Sequence, residues 1–278
     1  MRFMKMQGTG NDYIYINCFE EPFPENPEAL ALRLSDRHFS IGSDGLIFIC
    51  PSDIADIKML MYNADGSNSP MCGNGIRCVG KYAYDMGLTK KEKITVETPA
   101  GLKHLSLNIA GGVVKTVTVN MGRPILRPAD IPVLSSGEAF VNQPVTVDGA
   151  VWKGTAVSVG NPHFVIFLPD ISALDLETIG PKFENHPTFP HRINTEFAAV
   201  IDKTTINMRV WERGAGETLS CGTGACATLV AAVLNGLTDR CVDLNVAGGA
   251  LKIHWDEDTG NIYMTGGAEF SFSGEIPV

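Results

Sequence analysis

Short segments in which apolar and polar residues alternate dominate the chain. Alternation places one face of an extended segment in the core and the other in solvent, so each segment predicts a half-buried β-strand. Gly, Pro, Asn or Asp bounds each segment, as is typical of strands joined by turns. The predicted strands are Tyr13–Asn17, Leu46–Cys50, Ile57–Asn63, Lys93–Thr98, Val113–Met121, Val145–Asp148, Thr155–Gly160, Phe164–Leu168, Phe197–Ile201, Ile206–Trp211, Val242–Val246, Leu251–Trp255 and Ile262–Thr265.

Helical periodicity is rarer. Pro27–Arg37 begins with a proline, which is well suited to the first turn of a helix. Gly75–Met86 and Gly224–Asn235 are apolar runs that each stop at a glycine, a common helix C-terminal residue. Leu176–Asn185 is also predicted to be helical, although Pro181 interrupts it. The chain is therefore expected to be rich in strands.

Two short sequence motifs each occur twice along the chain. Gly-Asn occurs at Gly10–Asn11 and again at Gly160–Asn161, and each pair precedes a predicted strand. Cys-Gly-x-Gly occurs at Cys72–Gly75 and at Cys221–Gly224, and each precedes a predicted helix. The offset is 150 residues for the first feature and 149 for the second. A nearly constant offset predicts an internal duplication.

Composition and charge narrow the classes of function. The 278 residues are 44% hydrophobic and 19% charged, enough to bury a core. The net charge of −9 argues against a nucleic-acid partner. The longest uncharged stretch, Thr218–Thr238, contains several polar residues and glycines, which argues against a membrane helix. Met1–Gln7 has no apolar run typical of a secretory signal, so we expect a cytoplasmic protein.

The seven cysteines do not resemble a disulfide framework or a zinc site. Their number is odd and no Cys-x-x-Cys occurs, so no metal site is expected. Most are expected to be small buried hydrophobic residues. That interpretation covers Cys18, Cys50, Cys78, Cys226 and Cys241.

Cys72 and Cys221 differ because each stands where a loop enters a helix. The first backbone N–H groups of a helix have no partner within the helix and carry partial positive charge. They can bind an anion such as a carboxylate, and they favour a thiolate, which predicts a lowered cysteine pKa. A lone cysteine here would be interpreted as a packing residue. Two at duplicated positions favour a functional pair.

Two thiols on facing halves suit a two-base racemase or epimerase. One sulfur would remove the α-proton of a stereocentre and the other would deliver a proton to the opposite face. Because an α-proton is weakly acidic, donors must stabilise the charge that spreads onto the substrate carboxylate. The helix starts after Cys72 and Cys221 would supply such donors.

Further polar residues occupy the ends of predicted strands and the loops beside them. Each asparagine alone is most simply a turn residue, but together they would line a site for a zwitterion. Arg213 could bind a carboxylate and Glu212 an ammonium group. His163 is either a core imidazole or a group that orients a catalytic residue, and the sequence leaves both open. The candidates are Asn11, Asn63, Asn161, His163, Asn194, Glu212 and Arg213.

At these residues the sequence resembles diaminopimelate epimerases, amino-acid epimerases that do not use pyridoxal phosphate. The resemblance spans nearly the whole chain, and its cysteine segments are long and specific. The matching segments are Lys5–Ile14 (KMQGTGNDYI), Tyr62–Cys78 (YNADGSNSPMCGNGIRC), Val159–Val165 (VGNPHFV), Ile193–Phe197 (INTEF) and Trp211–Ala227 (WERGAGETLSCGTGACA).

The resemblance implies interconversion of LL- and meso-diaminopimelate in lysine synthesis and peptidoglycan precursor supply, without a cofactor and commonly by a homodimer. It implies that Cys72 and Cys221 are the acid–base pair, and that Glu212 and His163 tune them. It implies carboxylate binding at two helix starts, by Gly73 and Asn74 and by Gly222 and Thr223. The implied substrate contacts are Asn11, Asn63, Asn161, Asn194, Glu212 and Arg213.

The resemblance also implies an α+β fold of two pseudo-symmetric halves, each a curled, mostly antiparallel sheet around a central helix, with the site between them. We expect residues 1–121, joined by the C-terminal strand 263–278, to form the first half, and residues 122–262 the second. The proline-rich stretch Met121–Pro128 supports this boundary.

One departure and two alternatives remain. Some family members have a substrate-contacting Gln after Ser-Asp, where this chain has Gly45, so a contact there would be made by the backbone or not at all. A proline or hydroxyproline racemase would also use two thiols as acid and base. Its substrate, a cyclic imino acid, has no distal ammonium and carboxylate groups that Glu212 and Arg213 could bind. A thiol-based redox or binding protein would instead cycle through a disulfide of Cys72 and Cys221.

Overall fold

The structure is a computed structural model that describes residues 1–277; Val278, which ends the predicted first half, lies outside the described residues. The helices are α1 (Pro27–Ser35), α2 (Gly73–Asp85), α3 (Leu176–Glu184) and α4 (Gly222–Leu234). The strands are β1 (Arg2–Gly8), β2 (Asn11–Asn17), β3 (Gly45–Cys50), β4 (Ile57–Asn63), β5 (Asn68–Ser69), β6 (Lys93–Thr98), β7 (Gly101–Ala110), β8 (Val113–Gly122), β9 (Gln143–Val147), β10 (Ala150–Ser158), β11 (Pro162–Phe167), β12 (Asn194–Asp202), β13 (Thr205–Glu212), β14 (Gly216–Thr218), β15 (Cys241–Val246), β16 (Gly249–Trp255), β17 (Ile262–Gly266) and β18 (Glu269–Glu275).

The predicted helices and strands are all confirmed, with ends displaced by a few residues. The α3 helix continues through Pro181, and Asn26 caps α1 by accepting a hydrogen bond from the backbone of Ala29. The strands that the alternation of residues did not predict are β1, β5, β7, β14 and β18, although β18 lies within the C-terminal strand 263–278 that the resemblance implies.

The chain divides into two units. Unit 1 comprises Met1–Asn120 and the segment that begins at Thr265, and unit 2 comprises Met121–Met264. The C-terminal segment belongs to unit 1 because β18 pairs with β1 in antiparallel register, with Arg2 opposite Glu275.

Both units repeat one order of strand pairing, which confirms the internal duplication. In unit 1, β1–β2 and β3–β4 are antiparallel, whereas β2–β3 and β4–β6 are parallel. In unit 2, β10–β11 and β12–β13 are antiparallel, whereas β11–β12 and β13–β15 are parallel. Each parallel connection contains a helix: α1 and α2 in unit 1, and α3 and α4 in unit 2.

A buried helix packs against the strands of each unit. In α2 most residues of the first turns are buried, and α4 is buried along most of its length. The core of unit 2 is aromatic, and the ring of Phe183 contacts those of Phe164 and Phe197. This arrangement confirms the α+β class. None of the helices within residues 1–277 has both the length and the apolar character needed to cross a membrane.

Candidate functional site

Cys72 is the N-cap residue of α2. Its backbone is extended, and its Sγ accepts a hydrogen bond from the backbone N–H of Gly75 at 3.3 Å. The sulfur therefore lies at the positive end of the helix, as the sequence predicted. A Cβ at Gly75 would lie 2.7 Å from Cδ1 of Ile47, so glycine lets the start of α2 approach β3.

Asn11 joins the strand β2 to this cysteine. The thiol of Cys72 donates to Oδ1 of Asn11 at 3.2 Å, and Nδ2 of Asn11 donates to Oδ2 of Asp44 at 2.6 Å. Arg37 in turn forms an ion pair with Asp44 at 2.9 Å. The amide is thus held with its oxygen towards the thiol. Two motifs that are distant in the sequence meet in unit 1.

Arg77 is a residue of the same helix that the sequence analysis missed. It is fully buried, and its Nη1 donates to Oδ1 of Asn74 at 2.7 Å. Its Nη2 donates to Thr9 and its Nε to the carbonyl of Gly267. Arg77 therefore fixes the predicted carboxylate-binding turn of Gly73 and Asn74. The signal was an arginine one turn into the helix among small and apolar residues, whereas the other charges of α2 lie in its second half.

Asn63 ends β4 opposite Gly45. Its Nδ2 donates to Oγ of Ser67 at 2.9 Å, which is also what a turn residue would do. A Cβ at Gly45 would lie 2.2 Å from the carbonyl oxygen of Tyr62 and 2.9 Å from the ring of Tyr13. Position 45 has no room for a side chain, so a substrate contact there could be made only by the backbone.

Cys221 is the N-cap residue of α4 and is 5% exposed. Its Sγ lies 3.5 Å from Oγ1 of Thr223. Burial raises the pKa of this thiol well above its ordinary value, and the carboxylates of Glu212 and Glu196 raise it further. The expectation of a lowered pKa is therefore wrong for Cys221, because burial and two negative charges outweigh the helix N-terminus.

His163 links two other groups in unit 2. Its Nδ1 lies 2.6 Å from Oε1 of Glu196, and its Nε2 lies 2.9 Å from Oδ1 of Asn161. A ring nitrogen of His163, a carboxylate oxygen of Glu196 and Sγ of Cys221 lie within 4.8 Å of one another. Such a cluster could ligate a metal ion, but both ring nitrogens are already hydrogen-bonded, so an ion would have to break one of these bonds.

Glu212 ends β13 beside Cys221. It accepts hydrogen bonds from the hydroxyl of Thr218 and from the thiol of Cys221. Burial raises the pKa of Glu212, although these hydrogen bonds act in the opposite direction. The carboxylate bonded to His163 is that of Glu196, a residue that the sequence analysis did not single out.

Asn194 and Arg213 form one local structure. Nδ2 of Asn194 donates to the carbonyl of Pro162 at 2.7 Å, and its Oδ1 accepts the backbone N–H of Arg213 at 2.9 Å. The buried side-chain amide of Asn194 therefore bridges the backbone at Pro162 and the backbone at Arg213. Arg213 is exposed, and its Nη1 donates to the carbonyl of His191 at 2.9 Å. Gly222 and Thr223 form the first turn of α4.

Each unit thus carries a cysteine at the first turn of a buried helix, beside amides and carboxylates. A sulfur in this position can exchange a proton, and the adjacent N–H groups can receive an anion. The site of unit 2 carries two buried carboxylates beside its thiol, whereas that of unit 1 has the buried guanidinium of Arg77 under its first helical turn.

Comparison with known proteins agrees with this arrangement. The family model described as "Diaminopimelate epimerase" matches residues 3–126 and 155–271. The diaminopimelate epimerase of Acetivibrio thermocellus is 58% identical over 276 residues, covering 99% of this chain and 98% of that protein. The diaminopimelate epimerase of Methanococcus maripaludis is 51% identical over 278 residues, covering all of both chains.

Solved structures share the fold at much lower identity. A probable proline racemase from Agrobacterium radiobacter has a TM-score of 0.74 at 14% identity, covering 100% of this chain and 93% of that one. A phenazine biosynthesis protein of the PhzF family from Bacillus anthracis has a TM-score of 0.69 at 14% identity, covering 100% and 99%. The family model and the full-length relatives, rather than these folds, decide the assignment: the chain belongs to the diaminopimelate epimerase family.

Proposed function

We propose that the protein is a cofactor-independent epimerase that interconverts LL- and meso-diaminopimelate, with Cys72 and Cys221 as its two bases. The observation that carries the proposal is the pair of duplicated cysteines, each the N-cap of a buried helix. Membership of the family supplies the substrate. The reaction would serve lysine synthesis and peptidoglycan precursor supply.

The chemistry needs one thiolate and one thiol. The thiolate takes the α-proton, the carbanion charge spreads onto the adjacent carboxylate, and the thiol gives its proton to the opposite face of the carbon. The product is the inverted stereocentre, and the two sulfurs have exchanged protonation states. We assign the proton donor to Cys221, because burial and two carboxylates favour its protonated form. Cys72 acts as the base after it releases the proton that its thiol donates to Asn11 in the free enzyme.

Diaminopimelate carries a zwitterionic amino-acid group at each end. We propose that backbone N–H groups of the first turns, at Gly73 and Asn74 and at Gly222 and Thr223, receive the reacting carboxylate. Asn11, Asn63 and Asn161 would bind by their amides, and Asn194 would act mainly by holding the backbone of Arg213. Arg213 and Glu212 would pair with substrate charges. A homodimer in the cytoplasm, without a metal, completes the proposal.

The test is exchange of the α-proton. Purified protein in D2O, with diaminopimelate and no added cofactor, should incorporate deuterium at the α-carbon and form the second stereoisomer. Proline and hydroxyproline, given in parallel, should not exchange. Exchange with proline alone would assign the protein to the racemase alternative. Turnover only through oxidation and reduction of a disulfide would assign it to the thiol-redox alternative.

A further inference from the structure

Glu196 is a buried acid for which the proposed reaction has so far given no role. It lies within β12, and neither its side chain nor that of His163 has exposed surface. Within residues 1–277 it forms no ion pair with lysine or arginine. A buried carboxylate without such a partner is costly, and an apolar residue would fill the same space more cheaply. We therefore expect Glu196 to have a role other than packing.

The two carboxylate oxygens of Glu196 have different surroundings. Oε1 accepts the Nδ1–H of His163 at 2.6 Å. Oε2 is buried and has no hydrogen-bond partner among the described residues. A native protein rarely leaves such an atom unsatisfied without a functional reason.

Gly224 creates the space for this carboxylate. A Cβ at Gly224 would lie 2.5 Å from Oε1 of Glu196, so no other residue fits there without displacing the acid. Gly224 is in the first turn of α4, whose N-cap residue is Cys221. Because Gly224 has no side chain, the carboxylate of Glu196 can lie against the first turn of α4, close to the Cys221 thiol.

A chain of hydrogen bonds leads from Glu196 towards the proposed substrate contacts. An ionised carboxylate only accepts hydrogen bonds, so Glu196 fixes a proton on Nδ1 of His163 and with it the plane of the ring. Nε2 lies 2.9 Å from Oδ1 of Asn161. Because an amide oxygen also only accepts, this contact is a hydrogen bond when Nε2 carries a proton as well, that is, in the imidazolium form of the ring. Holding Oδ1 in this way leaves the NH2 group of Asn161 to donate elsewhere.

We propose that Glu196 is a positioning residue of the epimerase, which fixes the ring of His163 and through it the amide of Asn161, beside the thiol of Cys221. This proposal rests on the proposed function. It assigns separate tasks to the two acids of the site, since Glu212 is bonded to Thr218 and Cys221 and Glu196 to His163.

The charge of Glu196 has a second effect that can be measured without substrate. The titratable groups that face Cys221 are His163 on β11, Glu196 on β12 and Glu212 on β13. Both carboxylates raise the pKa of the Cys221 thiol. Removing the charge of Glu196 while keeping its shape should therefore lower this pKa.

The experiment uses Glu196→Gln, which keeps the volume and an acceptor for Nδ1–H but removes the charge. We expect kcat/KM for diaminopimelate to fall about tenfold or more, chiefly through KM, because the amide of Asn161 is less firmly held. We expect the pH midpoint of Cys221 alkylation, followed by peptide mapping in the absence of substrate, to move to lower pH. Glu196→Gln combined with Asn161→Ala should cost little more in kcat/KM than Asn161→Ala alone.

Asp85→Asn is the matched control. It also removes the charge of a buried carboxylate, but at the far end of α2, where Asp85 pairs with Lys81. It should change neither kcat/KM nor the alkylation midpoint of Cys221. Should Glu196→Gln fail to fold, His163→Gln breaks the same chain of hydrogen bonds and should likewise be non-additive with Asn161→Ala.

Full additivity with Asn161→Ala, or wild-type kcat/KM in folded Glu196→Gln, would overturn the positioning role. An unmoved alkylation midpoint would overturn the effect on the thiol. Failure of the proposed function has a different signature. The wild-type protein would then show no exchange with diaminopimelate, while the alkylation midpoint would still report on Glu196.

Discussion

The thiol of Cys72 donates a hydrogen bond of 3.2 Å to the side-chain oxygen of Asn11, at the start of β2. Asp44 holds the other end of the same amide. Asn11 can therefore orient the sulfur before substrate arrives. In unit 2, Asn161 occupies the corresponding strand position, but it is bonded to His163 instead. The duplicated units thus differ in how the asparagine beside each thiol is held.

Replacement of either cysteine should abolish epimerisation. We expect Cys72→Ala and Cys221→Ala to fold and to show no net turnover of diaminopimelate, because the two-base reaction needs both sulfurs. Circular dichroism checks the fold, and formation of the second stereoisomer measures the turnover. Cys241→Ala, which alters a partly buried cysteine of β15, should retain activity. Substantial net turnover in either folded active-site variant would contradict the two-base proposal.

Loss of the Asn11 amide should slow the reaction without unfolding the protein. Asn11→Ala removes the acceptor for the Cys72 thiol and the donor to Asp44, so we expect kcat/KM to fall roughly 10- to 100-fold. Steady-state kinetics in both directions would measure this. Asn245→Ala is the matched control, since Asn245 is exposed and its side-chain amide donates to Asn207, outside the proposed site. Equal kcat/KM in the two variants would remove Asn11 from the site.

Arg213 should contribute to substrate binding through its charge. Its side chain is exposed and bonded to the carbonyl of His191, so it is available to a carboxylate. We expect Arg213→Met to raise KM and to lower kcat/KM by about 10- to 100-fold, the loss of a charged hydrogen bond. Arg240→Met, which removes an arginine stacked on Trp255, serves as the control. A near-wild-type kcat/KM for Arg213→Met would place the charge recognition elsewhere.

Glu212 should lower stability at neutral pH. Burial raises its pKa above the ordinary value. A group whose pKa is raised by folding stabilises the fold below its unfolded pKa, and that contribution is lost as pH rises through the folded pKa. The wild-type protein should therefore lose more free energy of unfolding than Glu212→Gln between about pH 4 and pH 8. Urea unfolding at several pH values measures the difference, and parallel pH curves would contradict it.

Cys50 should react with an alkylating reagent before Cys18, although Cys18 is the more exposed. The hydrogen bond between the two thiols lowers the pKa of Cys50, and the cation of Lys58 lowers it further. The same hydrogen bond and burial raise the pKa of Cys18. Brief treatment with iodoacetamide near pH 7.5, followed by peptide mapping, would give the order. Lys58→Met should slow the labelling of Cys50. Faster labelling of Cys18 would show that exposure, not thiolate character, governs reactivity here.

The alternation of residues was enough to find most strands, and four of the five strands it missed have physical explanations. The β1 strand carries Lys5 at a buried position, where its ion pair with Asp12 replaces the apolar residue that the pattern requires. The β18 strand is mostly exposed, so its pattern is weak. Two or three residues, as in β5 and β14, are too few to show any period.

Local sequence motifs predicted the positions of the two cysteines, whereas the features of the site that depend on burial could not be predicted. Both cysteines stand at helix starts, as the glycine-framed motifs indicated. Glu196 was not found because the strand residues on both sides of it are also buried, so the strand has no alternation that distinguishes a polar face from a functional acid. The raised pKa of Cys221 depends on burial and on the carboxylates of Glu212 and Glu196, which other parts of the fold bring to the cysteine.

The pairing of β18 with β1 has a consequence for synthesis of the chain. The backbone carbonyl of Ile276 accepts a hydrogen bond from the amino group of Met1 at 2.8 Å, so the first and last strands of unit 1 lie side by side. In the sequence, the residues of unit 2 lie between these two strands. On the ribosome, therefore, the second unit has emerged in full before the first can acquire its last strand. Until then β1 keeps one edge unpaired, and such an edge can recruit a foreign strand.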